Sequence, residues 1–524
     1  MDSNSSALPE GTTDQLSGTK RVFSGSLWGV LAKIVDALAK FVTIPLLVGF
    51  YGKADYGLIA LAFSLNAYLR LMDLGFNVGA VRFFSMWTAD SNWEKISRVS
   101  RSSIVFYGAI GLINAVIFLV MSVHGQQLFN LADTQLPLYR QMMYVLALST
   151  VLSWLSGVAV QLLSAKEELG FVNRITAVSS VVNFVVALLA IQLHVTLITY
   201  FIGYTLATLM PIPFYFWRLK VFPVPRNSLL APRWDGAAFR EILMYSLAIF
   251  AMGLFQLTAN NLRPLLLGKF AGGIEVLTDY RVIQTIAMLI VAFGGVFMQV
   301  LLPSASKAYA TGDHQRMERM VFKATAYISI FLSFMVFVLI LNADEILLLY
   351  MGNAYSGLTF WLSIWLLTVL LSMHNTPVAS LVLSTGKTRA LVYSSAVACI
   401  VSLPITVIFA PRLQVGAAVL GYLVYMVLQI GFFYLYYIPK VLHLDGFRLF
   451  SRAFLPAAIG GVVALAAGHY ASGWLPQRGV YGTVIVSTAI FGLVYGTYLR
   501  LFVLKSVAIR ELKETLIGKG KRDA

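Results

Sequence analysis

The stretch VFSGSLWGVLAKIVDALAKFVTIPLLVGFYG, residues 22–52, is apolar over a bilayer-spanning length yet carries Lys33, Asp36 and Lys40 inside it. Steps of three and four residues put these charges on one helical face. Ser26 and Gly29 extend that face backwards and Thr43 extends it forwards. A charged side chain near the bilayer centre costs roughly 2.5–3.5 kcal/mol. A helix bearing three of them must turn that face to water, to other protein or to a charged cargo.

The rest of the chain fits a membrane setting. Of its 524 residues, 59% are hydrophobic and only 12% charged, with a mean hydropathy of +0.79. Soluble domains sit near about 25% charged, so this chain has too little polar surface to face water all round. The single cysteine, Cys399, rules out an intrachain disulfide or a cysteine metal cluster. Residues 1–20, rich in Ser, Thr, Gly and Asp and without a signal-peptide pattern, are expected to form a disordered cytoplasmic tail.

Apolar runs bounded by charged or Gly/Pro-rich breaks give about fourteen candidate helices. The loops on one side of these spans, with both tails, hold 29 of the 39 Lys and Arg residues. The opposite loops hold six, and four more (Lys33, Lys40, Arg70 and Arg263) fall inside spans. The positive-inside rule then puts both termini in the cytoplasm and makes the span count even. Topology thus accounts for the net charge of +16 without nucleic acid.

The chain also repeats itself at an offset of roughly 220 residues. Pro45 to Tyr51 matches Pro264 to Phe270, Trp93 to Arg101 matches His314 to Phe322, and Leu163 to Lys166 matches Leu383 to Lys387. Six helices between equivalent points imply two like-oriented six-helix lobes. The division reads as an N-lobe at 21–220, a cytoplasmic linker at 221–240 and a C-lobe at 241–440. Two further helices follow at 441–505, then a basic tail at 506–524.

The seventh span has its own polar stripe: Ser246, Gly253, Gln256, Asn260 and Arg263. Both stripes end beside a proline, Pro45 and Pro264, and helix breaks at matching positions of two halves point to a transporter's site. The second span adds Asn66, Arg70, Asp73 and Asn77 on one expected face. The acids could serve as static partners of the cations, but four cations face only Asp36 and Asp73. The surplus positive charge calls for an anionic cargo, and phosphate is the usual partner of Lys and Arg. His374-Asn375, just before Pro377, reads as a kink held by its neighbours. The eighth span, with only Gln284 and Gln299, is poor in charge. No phosphate-cradling Gly-rich loop and no metal-ligand spacing is visible, so neither an enzyme nor a cofactor site is expected.

Gly25, Trp28, Pro45, Gly49, Tyr51-Gly52, Tyr56-Gly57, Asp73-Leu74-Gly75-Phe76 and Arg82 together resemble the polysaccharide transporter family. Its members are bacterial oligosaccharide and O-antigen flippases of the multidrug/oligosaccharidyl-lipid/polysaccharide superfamily. The resemblance implies a V-shaped all-α bundle around a cationic cavity in the cytoplasmic membrane. It implies alternating-access translocation of an undecaprenyl-diphosphate-linked oligosaccharide, an O-antigen or exopolysaccharide unit, to the periplasmic leaflet. Membrane lipids, a polysaccharide polymerase and chain-length machinery are the other implied partners.

By position, Lys33, Lys40, Arg70, Arg263, Asn260 and Gln256 would bind this substrate. Asp36 and Asp73 would orient the cations or hold a coupling ion, Na+ or H+, unless the membrane potential alone drives transport. Three alternatives remain open at this point: a lipid II flippase, a cation-coupled multidrug antiporter, and a membrane glycosyltransferase or polymerase. The antiporter would favour acids in its cavity. The enzyme would need catalytic residues in a long outer loop, and the longest here (122–140) offers only His124, Asp133 and Arg140.

Overall fold

The computed structural model describes the backbone of residues 10–310, 314–385, 389–472 and 479–503, with side chains outside 10–27, 293–316, 383–389 and a few single positions. Every regular element among them is helical. The chain divides into two units, Met1–Arg281 with Phe409–Gln414, and Val282–Ile408 with Val415–Ala524.

The first unit contains α1 (Glu10–Tyr51), α2 (Lys53–Leu69), α3 (Phe76–Ala89), α4 (Trp93–Phe129), α5 (Leu136–Ala165), α6 (Leu169–Gln192), α7 (Leu197–Leu209), α8 (Pro211–Arg218), α9 (Arg226–Leu230) and α10 (Gly236–Phe270). It ends in the first turns of α11 (Glu275–Ala310). The second unit continues with α12 (His314–Leu341), α13 (Ala343–Met351), α14 (Thr359–Met373), α15 (Thr376–Thr385), α16 (Arg389–Leu413) and α17 (Val415–Phe432). Then come α18 (Gly446–Leu449), α19 (Leu455–Ser472) and α20 (Val480–Tyr498).

Ten helices are long and apolar enough to cross a membrane, eleven if α2 and α3 form one bent crossing. Their outer faces stay apolar. On α4, Leu112, Val116, Val120 and Val123 are exposed while Ser103, Tyr107 and Asn114 are buried, the pattern of a helix whose solvent is lipid. The chain is a multi-pass membrane protein.

One expectation changes. Residues 10–20 were expected to be tail, but α1 begins at Glu10, since extending a formed helix by a turn costs far less than starting one. The basic tail at 506–524 lies outside the described residues. By contacts the first unit runs on to Arg281, because α10 packs on α2, α3 and α4. The two last spans, α19 and α20, pack on α12 within the second unit, where the Tyr495 hydroxyl donates to Ile330 O at 3.0 Å.

The first turns of α11 are tied to the start of α2. Lys53 Nζ lies 2.8 Å from Asp279 Oδ1, and the Thr278 hydroxyl donates to Lys53 O at 2.7 Å. Asp279 is nearly buried, so Lys53→Ala leaves a carboxylate without its main cation. A loss of about 2 kcal/mol is expected, read as a lowered midpoint of thermal unfolding in detergent. Lys53→Ala with Asp279→Asn should recover part of it.

In the second unit, α14 and α15 are separated by His374 and Asn375, both buried. The His374 ring lies 3.0 Å from the Tyr434 hydroxyl and packs against Phe454 at 4.1 Å between ring centroids. The interruption is thus held by its neighbours.

Candidate functional site

On α1, Lys33 and Lys40 are exposed and Asp36 is half-buried. Lys40 Nζ sits 2.7 Å from Asp36 Oδ2, the pairing that an i, i+4 spacing allows. The Ser180 hydroxyl of α6 donates to Asp36 Oδ1 at 3.4 Å. Lys33, seven residues before Lys40 and so about 10 Å along the helix, makes no bond among the described residues. The Ser26 side chain lies outside the described residues.

The expected breaks at Pro45 and Pro264 are not breaks. α1 and α10 run through both prolines and end six residues later, at Tyr51 and Phe270. Each ring forfeits one backbone hydrogen bond, a loss that packed neighbours in a membrane helix can absorb.

The interruption falls in the second span instead. α2 stops at Leu69, Arg70–Asp73 form one tight 3-10 turn, and α3 restarts at Phe76, the two helices meeting at 47°. Two consecutive residues in the left-handed region cause it, Leu74 at φ 53° and Gly75 at φ 70°. Gly75 also packs so closely that a Cβ there would lie 2.8 Å from Ser246 O of α10. Asp73 then caps the restarted helix, its Oδ2 accepting from Asn77 N at 3.2 Å. Its Oδ1 accepts from the Tyr107 hydroxyl at 2.6 Å, and Gln161 Nε2 donates to that hydroxyl at 2.6 Å. The turn means that Asn66, Arg70, Asp73 and Asn77 do not share one continuous helical face.

Asp73 is thus held by a tyrosine and a backbone N–H, while Arg70 is exposed and makes no hydrogen bond or ion pair among the described residues. Irregular backbone with a free cation at membrane depth is tolerated only where it lines a wet cavity or is buried in protein.

Tyr204 of α7 lies within electrostatic range of several of these groups. Lys40 and Asp36 of α1 and Arg281 of α11 act on it electrostatically, and it acts in turn on Arg70. Arg281, counted from the sequence as an outer-loop charge, belongs to the second turn of α11 and donates from Nη2 to the Ser64 hydroxyl at 2.9 Å. The signal for it was faint: Ser64 is the one serine or threonine of α2.

The seventh-span stripe grades from exposed to buried. Gln256 is exposed, Asn260 half-buried and Arg263 only 1% exposed. Arg263 lies close enough to Tyr280 to act on it electrostatically. In the first unit, Lys33, Lys40, Arg70, Arg263 and Arg281 therefore stand on α1, the broken second span, α10 and α11 with Asp36 and Asp73, while Asp279 is taken by Lys53. No group of His, Cys, Asp and Glu able to hold a metal occurs among the described residues. The Gln299 side chain lies outside them.

Residues 15–359 match the model of a family described as polysaccharide biosynthesis protein. The chain belongs to that family. No curated protein matches it in sequence. Among solved structures, it is similar to the lipid II flippase MurJ in an inward closed conformation, with a TM-score of 0.68 at 12% identity, covering 94% of this chain and 100% of the other. An inward-facing multidrug resistance MATE family transporter of the MOP superfamily gives 0.61 at 14% identity, covering 84% and 95%. An MOP superfamily transporter from Pyrococcus furiosus gives 0.54 at 13%, covering 86% and 96%. At these identities the likeness is one of fold, and that fold is one of membrane flippases and transporters.

Proposed function

We propose that this chain flips a polyprenyl-diphosphate-linked oligosaccharide, an O-antigen or exopolysaccharide unit, across the bacterial cytoplasmic membrane, and that it is not an enzyme. The observation that carries this reading is the broken second span, with Arg70 exposed in the turn while Asp73 is taken by Tyr107 and Asn77 N. Arg70, Lys40 and Lys33 would receive the diphosphate. Arg281 and the buried Arg263 would add field, and Gln256 and Asn260 would meet the sugar. Asp36 and Asp73 would orient cations or take a coupling Na+ or H+.

Fourteen crossings follow if α1, α10 and α11, at 42, 35 and 36 residues, join the eleven. Both termini would then be cytoplasmic, with the two lobes alternating access to the two faces. With an interior-negative potential, outward movement of anionic cargo gains about 2.3 kcal/mol per charge per 100 mV, less whatever protein charge moves with it. Transport could then run without ATP.

The test is export of lipid-linked sugar by cells carrying Lys40→Ala, Arg70→Ala or Arg281→Ala at matched protein level. Each loss removes a charge-assisted contact of about 1.5–3 kcal/mol, so export should fall at least tenfold. Unchanged export in all three rejects the reading. A lipid II flippase is the second reading, favoured by the likeness to MurJ. Rescue of cells depleted of their own lipid II flippase would select it.

A further inference from the structure

A pocket of about 570 Å³ opens at the end of the first unit where α4 and α10 begin, the end marked by basic loops and outside the broken span. Trp93, Arg98 and Arg101 of α4 form one wall, and Arg233, Trp234 and Asp235, just before α10, form the other. The second wall is fastened to the first by a run of polar bonds. The Ser100 hydroxyl donates to Leu229 O at 2.7 Å, Arg101 Nε to Ala231 O at 2.9 Å, and the Ser102 hydroxyl to Arg233 O at 3.2 Å. Asp235 N donates back to the Ser102 hydroxyl at 2.8 Å.

The charges in this frame are unequally committed. Arg98 is spent on Asp235, its Nη2 lying 2.6 Å from Oδ2. Arg101 offers only its Nε to Ala231, and Arg233 is exposed with no side-chain bond among the described residues. Lys166 Nζ sits 4.5 Å over the Trp93 ring and adds to the field. Glu94 is the one lining carboxylate outside the Arg98 pair. Two guanidinium groups with open donors between two tryptophans, one of them 54% exposed, match a phosphate carried on an apolar body.

We propose that this pocket binds a phosphate-bearing ligand through Arg101 and Arg233, and that the headgroup of an anionic phospholipid of the adjoining leaflet supplies that phosphate. Anionic headgroups collect at basic interfacial pockets. Bound there, a lipid bridges α4 to the segment entering α10.

Native mass spectrometry of the full chain in detergent tests this, titrating phosphatidylglycerol against phosphatidylcholine. Wild type should take the first phosphatidylglycerol preferentially. Arg233→Gln should bind it about fivefold more weakly, the worth of one surface cation, and Asp235→Asn more tightly because Arg98 is released. Arg233 carries no structural bond, so R233Q tests the site even if Arg101→Gln fails to fold. Phosphatidylglycerol binding by R233Q equal to wild type overturns the proposal. Displacement of the lipid by millimolar inorganic phosphate would overturn the lipid as the source while keeping the phosphate site, and lack of displacement supports the lipid.

Discussion

An Arg70→Ala chain is expected to fold, reach the membrane at normal level and export little lipid-linked sugar. The separation follows from where Arg70 sits. Its side chain is exposed and bonds to nothing among the described residues, so its removal leaves no buried partner unsatisfied. Asp73 keeps Tyr107 and Asn77 N, and the turn survives. What disappears is a planar donor fork that can grip a diphosphate with two bonds at once. Two lost charge-assisted bonds amount to about 3 kcal/mol or more, over a hundredfold in rate. Arg70→Lys should keep part of the activity, since an ammonium supplies the charge without the fork. Export would be read as sugar accessible at the outer face of spheroplasts. Wild-type export by Arg70→Ala would remove the broken span from the mechanism.

Gly75→Val is expected to do the reverse and deplete folded protein. The residue holds φ at 70°, a region costing a side chain about 1–2 kcal/mol and a β-branched one more. A Cβ would also lie 2.8 Å from Ser246 O and 3.1 Å from Phe250 Cβ. One turn on, a Cβ at Gly79 would overlap the Ser246 hydroxyl, so the α3–α10 seam has no slack. The combined cost is about 3 kcal/mol or more, a large share of the stability of a typical domain. Gly49→Ala is the matched control, because open space surrounds that position on α1. The measurement is the yield and unfolding midpoint of monodisperse protein in detergent. A Gly75→Val chain as stable as Gly49→Ala would show that the close seam is not needed.

The resemblance quoted from Asp73-Leu74-Gly75-Phe76 gains a physical reason here. Asp73 caps, Leu74 and Gly75 reverse the backbone, and Phe76 restarts the helix on a fully buried ring. The stop and start signals were present in the sequence, a glycine where a helix ends and an aspartate able to cap the next. An even 3.6-residue spacing of polar residues concealed them. The prolines gave the opposite lesson, since proline weakens a helix but its neighbours decide whether it breaks. The Lys40–Asp36 pair was legible as a spacing, whereas the exposure of Arg70 was not.

Composition and hydropathy determined by themselves that this is a many-helix membrane protein with charge inside its spans, because a lipid solvent admits so few alternatives. Conformations set by sequential neighbours, the left-handed residues and the i, i+4 pair, were likewise written in the order of residues. Which cations stay exposed, that Arg281 belongs beside Ser64 and that Arg263 is buried were decided only by tertiary packing. Those outcomes depend on side chains far apart in sequence competing for the same space and the same partners, and no local pattern records who wins.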